Sequence, residues 1–229
     1  MIGFRIFPRA AVVPADLVEA FRPIPVANVS DVMSRTAGAG AQLRPWHAGA
    51  KLCGVALTVR TRPGDNLMIH KALDLAQPGD VIVVDGDGDL NNALMGELMM
   101  ALAIKRGVAG LVLNGAVRDL DWIRRSDLPV YAVGVTHRGP YKEGPGEINT
   151  SISIGGMVVA PGDLMLGDAD GVVCVPKAEA VEICEAARAK SAAEGRQMNS
   201  ILDGTIDRSW IDAELARRKC VAINEPQTR

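Results

Sequence analysis

The fold of this chain is decided by residues 80–134, which read DVIVVDGDGDLNNALMGELMMALAIKRGVAGLVLNGAVRDLDWIRRSDLPVYAVG. Three short apolar runs stand out in this stretch, at Asp80–Asp85, Gly110–Asn114 and Val130–Gly134. The first of them is an unbroken apolar run between two aspartates, which is typical of a strand that is covered on both faces. We therefore predict three strands of one sheet.

Two helices are predicted between these strands. The first covers Ala93–Arg106, where apolar residues recur at helical spacing, and either Asn91 or Asn92 can cap its start. Gly107 is suited to end it. The second helix covers Leu120–Ser126. The resulting order of strand, helix, strand, helix, strand predicts a parallel sheet with right-handed crossovers, and hence an α/β fold.

Further elements are predicted before this stretch. A short helix is expected at residues 14–21, and Val26–Met33 leads into a second helix through three good capping residues, Asn28, Ser30 and Asp31. A strand rich in Val, Leu and Thr and one more helix complete this part of the chain, at residues 51–61 and 67–75 respectively.

The pattern changes after residue 148, where short strands are linked by tight turns. These strands are predicted at residues 152–154, 157–159, 163–166 and 171–175. A long helix then runs from Pro176 to about Gln197, and a final helix from about Asp207 to Lys219. We expect one domain over residues 1–229, with its core at about 26–176 and C-terminal helices at about 177–219 that cover the sheet or pack against a neighbouring subunit.

The tripeptide Pro-Gly-Asp occurs three times, at residues 63–65, 78–80 and 161–163. A phosphate-binding role is one interpretation. The simpler one is structural, because proline presets the first corner of a turn and glycine accepts a positive φ at the next. We expect turns at these places.

Composition excludes several classes of function. The formal charge of -2 provides no basic surface for a nucleic acid, so we expect no nucleic-acid partner. No stretch approaches the roughly 20 apolar residues of a membrane span, and the N-terminus has no apolar core of signal-peptide length. The four cysteines have no CxxC spacing and are interpreted as buried thiols of a cytoplasmic protein, Cys53, Cys174, Cys184 and Cys220.

Two segments with functional potential follow neighbouring strands of the predicted sheet. Gly96–Met99 lies in the opening turns of a helix, where free backbone N–H groups attract an anion such as a carboxylate. Gly115–Asp119 follows the next strand, where Arg118 offers a planar fork of donors and Asp119 a hard oxygen ligand for Mg²⁺ or Mn²⁺. Both segments should lie at the carboxyl edge of the sheet, where ligands of open α/β sheets bind.

The residues alone leave simpler interpretations open. Arg118 and Asp119 suit a surface ion pair at the start of a helix, and Glu97 suits a solvated helix position. A zinc site gains little support, because the three histidines share no spacing. No nucleophile elbow, P-loop or dinucleotide fingerprint is present.

An ordered series of motifs narrows these alternatives. They are Gly54-Val-Ala56-Leu-Thr58, Gly64-Asp65-Asn66-Leu67, Pro78-Gly79-Asp80-Val81, Val84-Asp85-Gly86, Ala93-Leu-Met-Gly96-Glu97-Leu98, Gly115-Ala-Val-Arg118-Asp119 and Gly167-Asp168-Ala-Asp170-Gly171-Val-Val. Over about residues 26–205 the series resembles the RraA-like family, which includes 4-hydroxy-4-methyl-2-oxoglutarate and 4-carboxy-4-hydroxy-2-oxoadipate aldolases. The resemblance implies an αββα sandwich related to the swivelling phosphohistidine domain, assembled as a trimer or hexamer with C-terminal helices and active sites at subunit interfaces.

The resemblance also implies a role for each site residue. Arg118 would hold the pyruvate unit, Asp119 would bind the metal, partly through waters, and Glu97 would position a catalytic water. The substrate carboxylate would be received by the backbone amides of Gly96–Met99, that is Gly96, Glu97, Leu98 and Met99. An acid from the C-terminal helix of an adjacent subunit would complete the site.

Glu194 is the best match for that acid, although Glu182 and Glu185 lie on the same predicted helix. Two departures from the family pattern stand out. Asn114 replaces an aspartate that many relatives have, and the loop Thr136–Glu147 is cationic, which suits a substrate with two or three carboxylates.

The expected function is that of a class II pyruvate aldolase with a Mg²⁺ or Mn²⁺ cofactor, of the kind used in the degradation of aromatic compounds. It would cleave a 4-hydroxy-2-keto di- or tricarboxylate and would decarboxylate oxaloacetate as a side activity. A Schiff-base aldolase is disfavoured, because no lysine lies in the apolar context that keeps its amine neutral. The alternative from another class is a regulator that binds and inhibits an RNA-processing endonuclease.

Overall fold

The computed structural model describes residues 2–221, which contain both strands and helices. The strands are β1 (Phe4–Ile6), β2 (Arg44–Pro45), β3 (Leu52–Thr61), β4 (Asp80–Met95), β5 (Gly110–Val117), β6 (Val130–Val135), β7 (Gly146–Ile148), β8 (Ile152–Ile154), β9 (Met157–Val159), β10 (Leu164–Asp168) and β11 (Gly171–Val175). The helices are α1 (Ala15–Phe21), α2 (Val26–Val32), α3 (Leu67–Leu75), α4 (Glu97–Lys105), α5 (Leu120–Arg125), α6 (Ala180–Leu202) and α7 (Ser209–Arg217).

Nine of the described strands form one mixed sheet in the order β1-β7-β3-β4-β5-β6-β2, with β10 also paired to β3 and β11 to β10. The four central strands, β3 to β6, are parallel, which was predicted for β4, β5 and β6. Antiparallel pairs flank them, because β7 and β10 run antiparallel to β3, and β2 runs antiparallel to β6. The α/β class is confirmed, and the sheet is mixed where the sequence predicted a parallel one.

Side chains alternate between the two faces of β4 and so enter two different layers of the core. Ile82 and Val84 pack into a cluster that contains Ile69 of α3 and Met100 of α4. Val81 and Val83 belong to the cluster on the opposite face, which is completed by the β8–β9 hairpin. A third cluster joins α1, α2 and the start of α6 to β10 and β11. Both faces of the parallel strands are therefore covered.

The start of α4 corrects the predicted helix at residues 93–106. That segment continues β4 as far as Met95, because residues 89–95 pair with β5 through several shifts of register. Asn92 does not cap a helix, and its side-chain amide instead donates to the carbonyl of Gly139. Strand pairing has outweighed the helical pattern here, and α4 begins only at Glu97.

The start of α2 and the state of Cys220 also differ from the predictions. The helix begins at Val26, ahead of the expected capping residues, and the backbone N–H of Val26 is capped from outside the helix by the Asp168 carboxylate at 3.0 Å. Cys53, Cys174 and Cys184 are buried as expected, but Cys220 is exposed. Burial raises the pKa of the Cys53 thiol to about 11, so this thiol stays protonated at neutral pH.

The three Pro-Gly-Asp tripeptides form the expected turns. In each turn the aspartate N–H bonds to the carbonyl three residues earlier, at 3.1 Å, and the glycine has a positive φ of 72°, 89° or 86°. The three aspartates are buried, and their exposed fractions are 0% for Asp65, 0% for Asp80 and 6% for Asp163. Each carboxylate accepts backbone N–H groups, so these tripeptides fasten chain segments and do not form phosphate loops.

The chain consists of two compact units. The first ends at Lys190 and the second begins at Ser191, inside α6. The first unit contains the whole sheet, and the second contains the rest of α6 and α7. Among the described residues, no helix is long and apolar enough to cross a membrane. The predicted packing of α6 and α7 at a subunit interface stays a prediction.

Candidate active site

The ends of β4 and β5 bring the two predicted segments together. The backbone N–H of Arg118 donates to the carbonyl of Met95 at 3.0 Å, which extends the pairing of the two strands to the sheet edge. Just beyond the two strands, the N–H of Glu97 donates to the Asp119 Oδ2 atom at 2.9 Å. The carboxylate of Asp119 therefore lies at the N-terminus of α4, where the helix dipole favours negative charge.

Gly96 makes this close approach possible. A Cβ atom at this position would overlap the Asp119 carboxylate and would lie 2.9 Å from both Cγ and Nε of Arg118. The φ of Gly96 is -146°, an extended value that any residue adopts. Glycine is thus required here for space and not for its backbone freedom.

Asp119 has a left-handed backbone with φ 62° and ψ 44°, a conformation that aspartate tolerates better than most residues. Its carbonyl accepts the first backbone bonds of α5, from Trp122 and Ile123. The Arg118 Nε atom lies 3.7 Å from Asp119 Oδ2, and the two side chains are 43% and 36% exposed. The two side chains thus form a partly exposed ion pair at the start of α5, as the simpler interpretation expects, and both also remain accessible to a ligand.

The two segments line a common cavity of about 430 Å³. Its walls consist of Asn66, His70, Ala93, Leu94, Met95, Gly96, Glu97, Leu98, Met99, Arg118, Asp119, Pro140 and Lys142. All the predicted site residues of the sheet edge are thus brought together. Glu194 is not among the lining residues of this cavity. It is an exposed residue of α6 in the second compact unit.

Two lining residues on α3 and at its start, Asn66 and His70, were not predicted as site residues. Asn66 is 2% exposed, and its side-chain NH₂ donates to the carbonyl of Leu94 at 3.0 Å and contacts Met99 Sδ at 3.2 Å. Its Oδ1 atom is buried without a hydrogen-bond partner among the described residues. In the sequence, only the position of Asn66 in the Gly-Asp-Asn motif pointed to a role for this residue.

The loop at residues 136–145, here called the site loop, forms another wall through Pro140 and Lys142. It is fastened by the buried Asp65, whose Oδ2 atom accepts the N–H groups of Glu143 at 2.7 Å and Gly144 at 3.0 Å. Burial alone would raise the pKa of Asp65. The backbone N–H donors and Arg62 outweigh burial and hold that pKa below its ordinary value. The carboxylate is therefore charged at neutral pH.

His70 lies on the wall beside Lys142. Burial lowers the pKa of its imidazole, the positive charge of Lys142 lowers it further, and Asp74 partly opposes both effects. At neutral pH the ring is therefore neutral, with one N–H donor and one acceptor nitrogen. Lys142 takes part in none of the ion pairs of the described residues.

Asn114, the departure from the family pattern, lies beside Asp85 of the neighbouring strand. Its side-chain NH₂ donates to Asp85 Oδ1 at 3.1 Å. An aspartate at position 114 would place two carboxylates side by side, so the amide relieves a repulsion at the edge of the sheet.

The side chains of the cavity suit some metal ions better than others. In the part of the chain that the structure describes, no group of three His, Cys, Asp or Glu residues converges on one point. Residues 2–221 of one chain thus bring together no set of three side-chain ligands of the kind that zinc takes. A single exposed carboxylate, that of Asp119, fits Mg²⁺ or Mn²⁺, because Mg²⁺ commonly binds one or two carboxylates and keeps several waters.

Comparison with known proteins identifies the family. A family model described as Aldolase/RraA, RraA-like, matches residues 26–174. This chain belongs to the RraA-like family. The matched region contains the four parallel strands β3 to β6 together with Gly96, Arg118 and Asp119, so the candidate site lies in the part that this RraA-like chain shares with its family.

Relatives of this RraA-like chain differ in the activity that their names give. A Halalkalibacterium halodurans protein named "Putative 4-hydroxy-4-methyl-2-oxoglutarate aldolase" is 36% identical over 191 residues, which cover 83% of this chain and 91% of the relative. A Pseudomonas syringae protein shares the fold, with a TM-score of 0.78, 24% identity and coverage of 86% and 97%. The RNA-processing inhibitor RraA from Thermus thermophilis has a TM-score of 0.62 and 31% identity, with coverage of 66% and 92%.

Proposed function

We propose that this protein is a divalent-metal-dependent lyase that cleaves a 4-hydroxy-2-keto di- or tricarboxylate to pyruvate and a second keto acid. The observation that carries the proposal is the convergence of Arg118 and Asp119 on the N-terminus of α4 within one cavity. The name of the Halalkalibacterium halodurans relative supports the same class of reaction.

The pyruvate unit of the substrate binds between the start of α4 and Arg118. The first N–H groups of a helix have no partner inside it, so those of Leu98 and Met99 are oriented to receive the carboxylate. Gly96 lets the side chains of Arg118 and Asp119 approach this backbone segment. The Arg118 guanidinium lies next to this segment and can donate to the 2-keto oxygen.

Asp119 is the residue that would hold Mg²⁺ or Mn²⁺. When bound there, the cation supplies Lewis acidity that draws electrons away from the 2-keto group. Asp119 is fixed for this purpose by its bond from the Glu97 N–H and by its place at the start of α5.

The reaction breaks the bond between C3 and C4 of the substrate. The C4 hydroxyl loses its proton and becomes a ketone, and the electron pair of the broken bond passes to the pyruvate unit as its enolate. Arg118 stabilises the negative charge on the enolate oxygen, an effect often worth about 3 kcal/mol. Glu97 positions the water that removes the C4 hydroxyl proton and later returns a proton to C3. Glu194 of an adjacent subunit completes the site.

Decarboxylation of oxaloacetate is expected as a side activity, because loss of CO₂ leaves the same enolate. No additional residue is needed for it. Arg118 stabilises the same oxygen, and protonation at C3 again gives pyruvate.

A coupled assay tests the proposal. Pyruvate release is followed with lactate dehydrogenase over a panel of 4-hydroxy-2-keto di- and tricarboxylates and oxaloacetate, with Mg²⁺, with Mn²⁺ and with EDTA. We expect release that needs the cation and is abolished by EDTA. No release from any substrate would contradict the proposal, and EDTA-resistant release with borohydride trapping of pyruvate would indicate a Schiff-base aldolase instead.

A second candidate function is regulation of an RNA-processing endonuclease. The observation that favours it is the likeness to the RNA-processing inhibitor from Thermus thermophilis. Recovery of such a nuclease with the purified protein, inhibition of its cleavage of RNA, and the absence of pyruvate release would together favour this function over the lyase.

A further inference from the structure

The cavity contains more positive charge and more donors than a pyruvate unit can use. Arg118 and the α4 N-terminus are assigned above to that unit. Lys142 and His70 line the same cavity and are left without a role. The Lys142 side chain is exposed at the cavity, so a substrate bound there can reach its ammonium group.

The backbone of Lys142 is fixed on both sides. Before it, the N–H of Tyr141 donates to the carbonyl of Gly64 at 2.8 Å, and the carbonyl of Tyr141 accepts the N–H of Asn66 at 3.0 Å. After it, the N–H of Glu143 bonds to the buried Asp65 carboxylate at 2.7 Å. The lysine side chain is therefore presented to the cavity from a rigid part of the site loop.

The same loop sets the separation between Lys142 and Arg118. A Cβ atom on Gly139 would lie 3.3 Å from Arg118 Nη1, so the loop contacts the guanidinium at this residue. Two residues lie between Gly139 and Lys142, so the Cα atoms of Gly139 and Lys142 are at most about 11 Å apart. Arg118 and Lys142 therefore border the same part of the cavity.

His70 adds a second group beside Lys142. Its backbone is fixed at the start of α3, because the backbone N–H of His70 donates to the carbonyl of Asn66 at 3.0 Å. Its ring lies close enough to Lys142 for the lysine charge to lower the pKa of the imidazole. A lysine ammonium and an imidazole N–H together match the acceptor oxygens of a carboxylate.

We propose that Lys142 and His70 form a subsite for a second carboxylate of the substrate. This inference rests on the proposed function, since the first carboxylate and the 2-keto group are assigned to Arg118 and the start of α4. It assigns the preference of the site for dicarboxylates to two side chains, His70 of α3 and Lys142 of the site loop.

Binding of two unreactive acids tests the subsite independently of catalysis. 2-Oxoglutarate and 2-oxopentanoate have the same number of carbons, but only the first has a second carboxylate, and neither has the 4-hydroxyl that cleavage requires. Calorimetry in the presence of Mg²⁺ should show at least about tenfold tighter binding of 2-oxoglutarate to the native protein.

Single substitutions assign that preference to residues. In Lys142→Met the preference should disappear while 2-oxopentanoate binds as before, and His70→Leu should lower the preference about threefold or more. Lys71→Met is the matched control, because Lys71 is exposed, is next to His70 in the chain and lines a different groove. Its preference should be unchanged.

Three results would overturn the subsite: equal binding of the two acids by the native protein, equal weakening of both by Lys142→Met, or no binding of either acid. The proposed reaction fails separately. A preserved and Lys142-dependent preference for 2-oxoglutarate, together with no pyruvate release in the coupled assay, would support the subsite and refute the lyase.

Discussion

Asp119 combines a charge with an unusual backbone conformation, so a test of its role must separate the two. Asparagine tolerates the left-handed region as aspartate does, whereas alanine adds strain. Asp119→Asn thus removes the charge alone. We expect at least about a hundredfold loss of metal-dependent pyruvate release, and a similar loss for Arg118→Ala, with little change in melting temperature.

The controls for these two variants lie on α5. Asp121→Asn and Arg124→Ala alter exposed residues of the same types that do not line the cavity, and both should keep native turnover. Near-native turnover of either Asp119→Asn or Arg118→Ala, measured in the coupled assay, would show that the site is assigned to the wrong residues.

Gly96 allows a prediction about the steric overlap that a side chain at this position would cause. The extended backbone of Gly96 accepts alanine without strain, so the new methyl group acts only by displacing Asp119 and Arg118. A shift of about 1 Å in a reacting group can cost on the order of a hundredfold in rate, and we expect a loss of kcat/KM of that size for Gly96→Ala. Steady-state kinetics measures it.

Gly195→Ala is the comparison for this variant, because a Cβ atom there meets nothing within 4 Å. It lies inside α6, where alanine is the better helix former, so its stability should be equal to that of the native protein or slightly higher. Unchanged kinetics of Gly96→Ala would mean that the contact between Gly96 and Asp119 does not matter for the reaction.

At the scale of elements, the central strands were predictable because their apolar runs are local signals. The prediction for α3 at residues 67–75 is confirmed to the residue. The extension of β4 to Met95 was not predictable in the same way, since it depends on pairing with β5, which is distant in sequence. Local pattern favoured a helix there, and non-local hydrogen bonds decided otherwise.

The same distinction applies to the candidate site. The convergence of the α4 N-terminus on Arg118 follows from the order of parallel strands, which local patterns reveal. The approach of Asn66, His70 and Lys142 depends on how α3 and the site loop pack, and no local pattern in the sequence encodes that packing.

The bond between Asp65 and the site loop gives a prediction about stability. Asp65→Asn replaces a charged acceptor with a neutral amide that meets the same buried N–H donors. We expect a loss of about 1–3 kcal/mol in the free energy of unfolding at neutral pH, measured with urea. Asp87→Asn, an exposed aspartate with positive φ, should lose almost nothing.

The pH dependence of that loss has a definite sign. The pKa of Asp65 in the folded protein lies below its ordinary value of 3.8. Its charged form therefore stabilises the fold above the unfolded-state pKa, and this stabilisation is lost as the pH falls through the folded-state pKa. The difference between native protein and Asp65→Asn should be largest near neutral pH and should shrink in acid. A difference that grows in acid would refute the argument.

At the scale of the whole molecule, the open question is whether one site draws on two chains. Two exposed leucines four residues apart on one face of α4, Leu98 at 80% and Leu102 at 39%, are consistent with an apolar contact between copies. If Glu194 of one subunit serves Arg118 of another, two inactive variants should complement each other.

Mixing Glu194→Ala with Arg118→Ala and allowing subunit exchange should restore up to about a quarter of native activity, because random pairing leaves that fraction of shared sites intact. Light scattering of the native protein should give three or six times the mass of one 24.2 kDa chain. Glu182→Ala and Glu185→Ala, tested in the same way, decide among the acids of α6. A mixture as inactive as its components would place the whole site within one chain.

The way in which the site loop is held has a consequence for the evolution of this protein. Apart from Asp65, the amide of Asn92 and the contacts of Arg62 with Glu143 and the Tyr141 ring, the groups that hold the loop in place are main-chain N–H and carbonyl groups. The Lys142 side chain takes part in none of these contacts between described residues. Residues such as Lys142 can then be exchanged at small cost to folding. Descendants of one ancestral scaffold could acquire substrates of new charge or length by substitutions in this loop, with the reaction chemistry at Arg118 and Asp119 left intact.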